Sequence, residues 1–432
     1  MRQDGGSQHN QGVHRPHRPE CQSEIRMKLL RLALALTIAA TWAAPAAAQR
    51  YTAKQDGDLV ELADATAQMN VSVVWSMSNA WRIQVKGKDL VRTSTALADF
   101  QARPGFNGIP LLAPFANRLD ETAFYANGKK YNFDLEMGNV RGPIPQTGYV
   151  NGTRTWELVE AKADQKSAWV TCRLDFYKNP QFMAQFPFAH TVTMTYRVSD
   201  GALEVHTRLD NLSTDPMPVS IGFHPIFELP EGNRDDWTVS LDAKTHWIEI
   251  PQRLPTGETQ PIEKFFGSDR TAIQLKKYAL IDDVFTDLIR DANGRATMKL
   301  MYGGKELDVM LGPKFKAVLA WSTPLAGGGG GGRGGGGGRG PAPAGQGAPP
   351  PPPAPSGPFP VDPAQGVRVA PPAVPPAEGA PPPATKGFIA FEPMAAITNA
   401  MNLAQKGVYK ELQSIPPGGS WEESFWISTK GY

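Results

Sequence analysis

A long run of glycine, proline and alanine divides this sequence near its end. Residues 326–386 consist almost entirely of these three types and contain no periodic apolar face. Such a composition cannot bury enough apolar surface to offset its ordering entropy, so it predicts a disordered segment. Only residues 387–432 follow it, which are too few for an independent core. We therefore expect residues 49–325 and 387–432 to form one domain, with 326–386 as a long insertion in one of its loops.

The remaining sequence is built from short segments in which apolar and polar residues alternate between turn residues. Examples are TVTMTYRVSDGALEVHTR, DWTVSLDAKTHWIEI and ATMKLMYGGKELDVMLG. Alternation with a period of two is typical of strands that have one buried face. Asp200 and Gly201 lie between two such runs and predict the turn of a β-hairpin. Because helical periodicity is scarce, the sequence predicts a large all-β sandwich.

The N-terminal region has the features of an export signal. Residues 27–48 contain the basic Lys28 and Arg31, then an apolar run too short to span a bilayer, and then Ala-Ala-Ala. We interpret them as a signal peptide, with Gln49 as the first mature residue. Residues 1–26 have no pattern and are expected to be a non-native upstream extension. The mature protein is then predicted to be exported from a bacterial cell, periplasmic or secreted, with no integral membrane segment.

Charge, cysteine and histidine usage exclude several classes of function. A formal net charge of +2 over 432 residues provides no field for nucleic acid or an anionic membrane. After signal cleavage Cys172 is the single cysteine, so we expect no intrachain disulfide and a small buried side chain there. His190, His206 and His246 are interpreted as structural or solvated residues. Since no histidine pair has metal-ligand spacing, we expect no metal site.

Two ionisable residues stand alone in apolar, strand-like runs, and each precedes a proline. His224 and Pro225 lie in SIGFHPIFEL, whereas Glu392 and Pro393 lie in GFIAFEPMAAITNAMN. A proline cannot donate to a ladder, so both strands should be interrupted there. One interpretation is a hydrogen-bonded core histidine and a glutamate solvated at a strand end. The other is that both groups line a shared site, because an isolated buried carboxylate is costly.

Four segments in order carry a resemblance to a known family. They are GIPLLAPFANRLDETAFYANGKKYNFD, MPVSIGFHPIFELP, IDDVFTDL and FIAFEPMAAITNAMN. With them the sequence resembles the aldose 1-epimerase (galactose mutarotase-like) family over most of residues 70–325 and 387–428. The resemblance implies the family's β-supersandwich fold, which agrees with the strand pattern.

The resemblance also implies a catalytic pair. Glu392 matches the family's general base, which removes the proton from the C1 hydroxyl of a sugar. His224 matches the general acid, which protonates the ring oxygen as the C1–O5 bond breaks. The open-chain aldehyde then rotates about C1–C2 and closes on its other face. The chain is expected to be an isomerase of a free aldose such as a hexose, with no metal and no cofactor.

Further positions match residues of the family that hold sugar hydroxyls. Arg118, which follows Asn117, matches one of them, and Asn117 is included in the predicted binding site. Asp282 matches another, with Asp283 as the alternative because one sequence does not fix the register. Tryptophans on strands could also stack on a sugar face or lie in the core. The candidates are Trp156, Trp169, Trp237 and Trp247.

The sequence departs from the family pattern at Thr147. The family usually has a histidine before the glycine that corresponds to Gly148, and a threonine can form a hydrogen bond but cannot carry charge. Two alternatives to a mutarotase of free aldoses therefore stay open. One is a non-catalytic carbohydrate-binding protein of the same fold, and the other is a hexose-6-phosphate mutarotase. Export and the lack of an additional Arg or Lys cluster argue against the second. The preferred sugar and the oligomeric state stay open too.

The insertion is the second departure from the family pattern. It lies before the Glu392 strand, where relatives have a short connection, so it is expected to emerge near the site. A neutral loop expansion costs little free energy and is one interpretation. A loose lid, or a segment that holds polysaccharide or cell wall, is the other.

Overall fold

The computed structural model describes most of the chain that follows the predicted signal peptide. The described ranges are 49–94, 96–133, 140–141, 144–267, 269–323 and 387–432. The predicted upstream extension, signal peptide and disordered insertion lie outside these residues. Within the described ranges, no helix combines the length and the apolar character that a membrane crossing requires.

Short antiparallel strands dominate the described residues, and helices are few and short. The first strands are β1 (Tyr51–Asp56), β2 (Leu59–Asp64), β3 (Met69–Val74), β4 (Asn79–Val85), β5 (Lys88–Asp89), β6 (Leu111–Leu112), β7 (Ala123–Ala126), β8 (Lys129–Asn132), β9 (Val140–Arg141), β10 (Ile144–Pro145), β11 (Glu157–Ala163), β12 (Ala168–Leu174), β13 (His190–Ser199) and β14 (Ala202–Asn211). The later strands are β15 (Met217–Val219), β16 (Gly222–Phe223), β17 (Ile226–Phe227), β18 (Thr238–Leu241), β19 (Thr245–Glu249), β20 (Pro255–Pro261), β21 (Ile273–Gln274), β22 (Ile281–Thr286), β23 (Ala296–Tyr302), β24 (Lys305–Leu311), β25 (Ala317–Thr323), β26 (Phe388–Met394), β27 (Gln413–Ile415) and β28 (Ser420–Lys430). The α-helices are α1 (Leu97–Ala102), α2 (Pro180–Gln185), α3 (Ile262–Phe266) and α4 (Ala400–Gln405).

Two large sheets and one smaller sheet contain most of these strands, and the remaining six form two-stranded pairs. The nine-stranded sheet has the order β11-β12-β13-β14-β28-β24-β23-β18-β21. The eight-stranded sheet has the order β20-β19-β22-β25-β26-β16-β6, and β17 also pairs with β26. Strands β1 to β5 form a five-stranded sheet in chain order. The predicted all-β architecture is confirmed.

The alternation read from the sequence corresponds to alternating burial. In β14, every second side chain from Leu203 to Asn211 is buried, while His206 and the other intervening side chains are partly exposed. Strands β13 and β14 flank Asp200 and Gly201, which both have the positive φ that a tight hairpin turn requires. The predicted hairpin is therefore confirmed, and so is the buried, unpaired Cys172.

The eight-stranded sheet has two different faces. One face contributes Phe285, Ala320 and Phe391 to the main core, which also contains side chains of the nine-stranded sheet. The other face carries a smaller apolar cluster that includes Val284 and Leu319. Side chains on adjacent residues of a strand point to opposite faces, so this second face is free of the main core and can carry other groups.

The strands on either side of the predicted insertion are direct neighbours. Strand β25 ends at Thr323 and β26 begins at Phe388, and these two residues are antiparallel partners. A connection of two or three residues is enough to join such a pair. The fold therefore places no demand on the length of the segment between them.

We expect the protein to fold without the low-complexity segment. Replacing residues 324–386 with Asn-Gly, and keeping Gly387, should give a three-residue hairpin loop between β25 and β26. Closing a much shorter loop costs less chain entropy, so the free energy of unfolding should rise by about 2–3 kcal/mol. Thermal and denaturant unfolding would measure this gain. A variant that fails to fold would contradict the single-domain prediction.

Candidate active site

A break in one strand of the eight-stranded sheet places His224. Strand β16 pairs through Gly222 with Met394, and β17 pairs through Ile226 with Ala390. The two residues between the strands are His224 and Pro225, so the predicted interruption of this strand is confirmed. The register places His224 directly opposite Glu392, which lies midway between Ala390 and Met394.

The second predicted interruption is wrong. Strand β26 continues through Glu392 and Pro393 to Met394, and Pro393 pairs with Val318 of β25. A proline removes only its own N–H from the ladder, and the strand tolerates that loss here. Glu392 is therefore presented from an intact strand, and His224 from the broken strand beside it.

The His224 ring and the Glu392 carboxyl group are in contact. His224 Nε2 lies 3.1 Å from Glu392 Oε1, and the side chains are 8% and 2% exposed. Phe106 stacks on the imidazole with a centroid separation of 4.2 Å and an interplanar angle of 6°. Trp321 meets the same ring edge-on at 5.4 Å. Two aromatic rings thus hold the imidazole in one orientation beside the carboxyl group.

Burial shifts the pKa of both groups toward their neutral forms. It raises the pKa of Glu392 well above its usual range, with a further increase from Asp282 and an opposing effect of Arg118. It lowers the pKa of His224 to about 3, and the positive charges of Arg92 and Arg118 act in the same direction. Near neutral pH the pair therefore carries a single proton and no net charge.

Arg118 joins the pair to the next strands of the sheet. Its Nη2 lies 3.2 Å from Asp282 Oδ2, and its Nη1 donates to Asn117 Oδ1 at 2.8 Å. Both Arg118 and Asn117 are buried. Asn117 therefore orients the guanidinium, and Asp282 balances its charge. The structure brings these three predicted residues together beside Glu392.

The register distinguishes Asp282 from Asp283. Leu319 of β25 pairs with both Val284 and Glu392, so these three residues share one face, and Asp282 lies two residues from Val284. Asp283 therefore points to the other face. There its Oδ1 lies 3.0 Å from His246 Nε2, and this contact gives His246 a structural partner. Asp282 is the aspartate on the face that carries Glu392.

Thr147 contacts the backbone of the segment that contains Asn117 and Arg118. Its N–H donates to the carbonyl of Asn117 at 2.6 Å, and its hydroxyl donates to the carbonyl of Gln146 at 2.8 Å. Thr147 is buried and has a φ of 60°, which is an unusual conformation for a β-branched residue. It therefore borders the segment that contains Arg118.

The sequence does not predict several side chains at the site. Phe106 and Trp321 are the aromatic partners of His224, and neither has a local pattern that marks it. Glu249, at the end of β19, has a buried side chain whose two carboxyl oxygens make no hydrogen bond within the described part of the chain. Arg253 lies between Glu249 and Asp282. Only their three-dimensional proximity reveals them.

The four tryptophans named from the sequence have different positions. Trp156 and Trp237 belong to the main core. Trp169 lies on β12 of the other large sheet, where its indole donates to Glu160. Trp247 belongs to the smaller cluster on the face that carries Glu392. The described ranges contain no group of three or more His, Cys, Asp or Glu side chains placed to hold a metal ion.

Comparisons with known proteins agree with this fold. The family model for aldose 1-epimerase matches residues 78–293, which is half of the chain. A galactose mutarotase-like protein from Clostridium acetobutylicum has a similar structure, with a TM-score of 0.63, 17% identity and coverage of 88% of this chain and 98% of that one. The galactose 1-epimerase of Lactobacillus acidophilus gives a TM-score of 0.56 at 14% identity, with coverage of 88% and 98%. An aldose epimerase homologue from Caenorhabditis elegans gives 0.58 at 15% identity, with coverage of 84% and 96%. The predicted galactose mutarotase-like sandwich is confirmed.

We expect the two neighbouring aspartates to respond differently to the same substitution. Asp282→Asn should weaken aldose binding about tenfold or more, because Arg118 loses its charged partner on the site face. Asp283→Asn should mainly lower stability, by about 1–3 kcal/mol, because it replaces the carboxylate in the hydrogen bond to buried His246 with a neutral amide. Sugar titrations and thermal unfolding of both variants measure these effects. A larger loss of affinity in Asp283→Asn would contradict the assignment.

Proposed function

The chain belongs to the aldose 1-epimerase family, and from this premise we propose that it is a mutarotase that interconverts the α and β anomers of a free aldose. The observation that carries the proposal is the buried 3.1 Å contact between His224 and Glu392, and the directions of their pKa shifts favour one proton on the pair. Anomerisation requires one proton to be removed and one to be supplied, with no net gain or loss. A pair with one proton matches that requirement.

Ring opening uses the two groups in concert. The Glu392 carboxylate removes the proton from the C1 hydroxyl, and the C1–O5 bond breaks with its electron pair passing to O5. His224 supplies a proton to O5, which leaves an open-chain aldehyde, a protonated Glu392 and a neutral imidazole. Rotation about C1–C2 exposes the other face of the aldehyde, and the reverse transfers close the ring. The pair finishes with the same number of protons with which it began.

Ring opening starts from the form with a Glu392 carboxylate and a His224 imidazolium. This form differs from the neutral resting pair only in the position of the shared proton. Burial favours the neutral form, whereas the guanidinium of Arg118 favours a charged Glu392. A sugar hydroxyl that donates to the carboxylate would favour the charged form further. The short distance between the two groups allows this internal transfer without a proton from solvent.

The arginines near the site support a neutral substrate over a phosphorylated one. Arg118 is paired with Asp282, and Arg92 with Glu228 at 2.6 Å. Arg253 lies within 4.0 Å of carboxyl groups as well. A phosphate would have to displace these partners to obtain a cation. Export, as the N-terminal sequence predicts it, would also bring the site into contact with free sugars.

The catalytic pair should be essential for turnover. Glu392→Gln and His224→Asn should each reduce the accelerated mutarotation of glucose and galactose at least about a hundredfold, because each removes one of the two proton transfers. Polarimetry and NMR of the anomeric protons measure the rate, and circular dichroism verifies the fold. If folded wild-type protein binds these sugars without accelerating their mutarotation, the binding-protein alternative replaces this proposal.

The pH dependence should show a broad plateau. Since the pKa of His224 is lowered to about 3, a second proton joins the pair only in strong acid. Since the pKa of Glu392 is raised, the last proton leaves only well above its usual range. We therefore expect kcat/KM to stay constant between about pH 5 and pH 8. A sharp maximum between the ordinary pKa values of the two groups, about 4.3 and 6.5, would contradict the buried pair.

A further inference from the structure

The carboxyl group of Glu249 is buried and makes no hydrogen bond within the described residues. Its side chain is 2% exposed, as is that of Glu392, and neither oxygen has a hydrogen-bond partner within the described residues. An unsatisfied polar group of this kind costs about 1–3 kcal/mol, and natural proteins contain few of them. Where such a group lies beside a binding site, a ligand can supply the missing hydrogen bonds.

Charged contacts connect Glu249 to the proposed sugar site. Arg253 Nη1 lies 4.0 Å from Glu249 Oε2, and Arg253 Nε lies 3.9 Å from Asp282 Oδ2. Asp282 in turn contacts Arg118, which acts on the pKa of both Glu249 and Glu392. A chain of charged contacts therefore runs from Glu249 through Arg253 and Asp282 to Arg118, whose charge also acts on Glu392.

The sheet order gives the same arrangement. Strands β19, β22, β25 and β26 are successive neighbours and carry Glu249, Asp282, Trp321 and Glu392. Three strand spacings of about 4.8 Å separate the outer two strands. A sugar with C1 at Glu392 would therefore extend past Asp282 toward Glu249.

We propose that Glu249 is a specificity-determining residue whose carboxyl group forms hydrogen bonds with the hydroxyl groups at the end of the aldose remote from C1. This inference rests on the proposed function for the orientation of the sugar. The substrate class is a neutral aldose with free hydroxyls at C4 and C6.

The charges around Glu249 support its uncharged form. Burial raises the pKa of Glu249 to about 9, and the carboxylates of Asp283 and Asp282 add to the effect. Arg118 and Arg253 oppose it without reversing it. A protonated carboxyl has one donor and retains acceptor capacity, which suits a pair of hydroxyl groups. An acidic or phosphorylated sugar would place a further negative charge near Asp282 and Asp283, and would be disfavoured.

Three variants test this role. Glu249→Leu removes both hydrogen-bonding functions, Glu249→Gln keeps a donor and an acceptor without a charge, and Asp308→Asn is the matched control. Asp308 is a buried carboxyl on β24 of the other large sheet, and it too has an oxygen without a hydrogen-bond partner. Each variant is compared with wild type in mutarotation kinetics and in sugar binding measured by tryptophan fluorescence, with glucose, 4-deoxyglucose and 6-deoxyglucose.

The inference predicts a separation of KM from kcat. Glu249→Leu should raise KM and Kd for glucose at least about tenfold with kcat changed less than about threefold, and should bind a deoxy sugar as well as glucose. Glu249→Gln should retain most of the affinity, and Asp308→Asn should match wild type. The melting temperature of Glu249→Leu should not fall, because an unsatisfied buried group is removed. Unchanged affinity in Glu249→Leu would overturn the inference and leave a purely structural residue.

A second measurement does not depend on the leucine variant. Above about pH 9 the wild-type Glu249 ionises and loses its donor, so Kd for glucose should rise there, whereas Kd of Glu249→Gln should not. A parallel rise in both proteins would overturn the inference. If wild type binds glucose without turnover, the proposed function fails, and the Kd ratios alone decide the role of Glu249. Folded wild type that binds none of the three sugars would overturn both.

Discussion

The site depends on a contact between two ionisable groups from which water is excluded. His224 and Glu392 lie 3.1 Å apart in a buried setting, and each is held near its neutral form by the same loss of solvation. In water a carboxyl and an imidazole would titrate separately. Here they share one proton across one gap, which is the stoichiometry that a reaction with one proton removed and one supplied requires.

The eight-stranded sheet produces this contact through register alone. The ladder leaves β16 before His224 and resumes at β17, and the intact β26 presents Glu392 opposite the break. Neighbouring strands then add Trp321, Asp282 and Glu249 in order. Strands are spaced regularly and their side chains alternate between faces. The sheet therefore places one of these side chains per strand at regular intervals on the same face. The main core lies on the opposite face and stabilises the sheet without occupying the site.

Local sequence predicted the parts of this site that local chemistry marks. The His224–Pro225 pair predicts a broken strand, since a proline nitrogen cannot donate to a ladder, and alternating residues predict the sandwich. The isolated Glu392 in an apolar run predicts a buried group, which the structure shows, but Pro393 also predicts an interruption, and β26 is not interrupted. The choice between Asp282 and Asp283 depends on pairing with β25, which is a long-range property. Glu249 was missed because a glutamate at a strand end normally indicates solvent, and only its burial shows otherwise.

The protonation state of His224 tests the central claim most directly. Nitrogen-15 NMR of histidine-labelled protein, with His224→Asn to assign the signal, reports the charge and tautomer of the ring as pH is varied. We expect a neutral imidazole throughout the neutral pH range, with titration only toward about pH 3. We also expect the ring to stay neutral in Glu392→Gln. An imidazolium that titrates near the ordinary histidine value of about 6.5 would contradict the shared, desolvated proton on which the proposed mechanism rests.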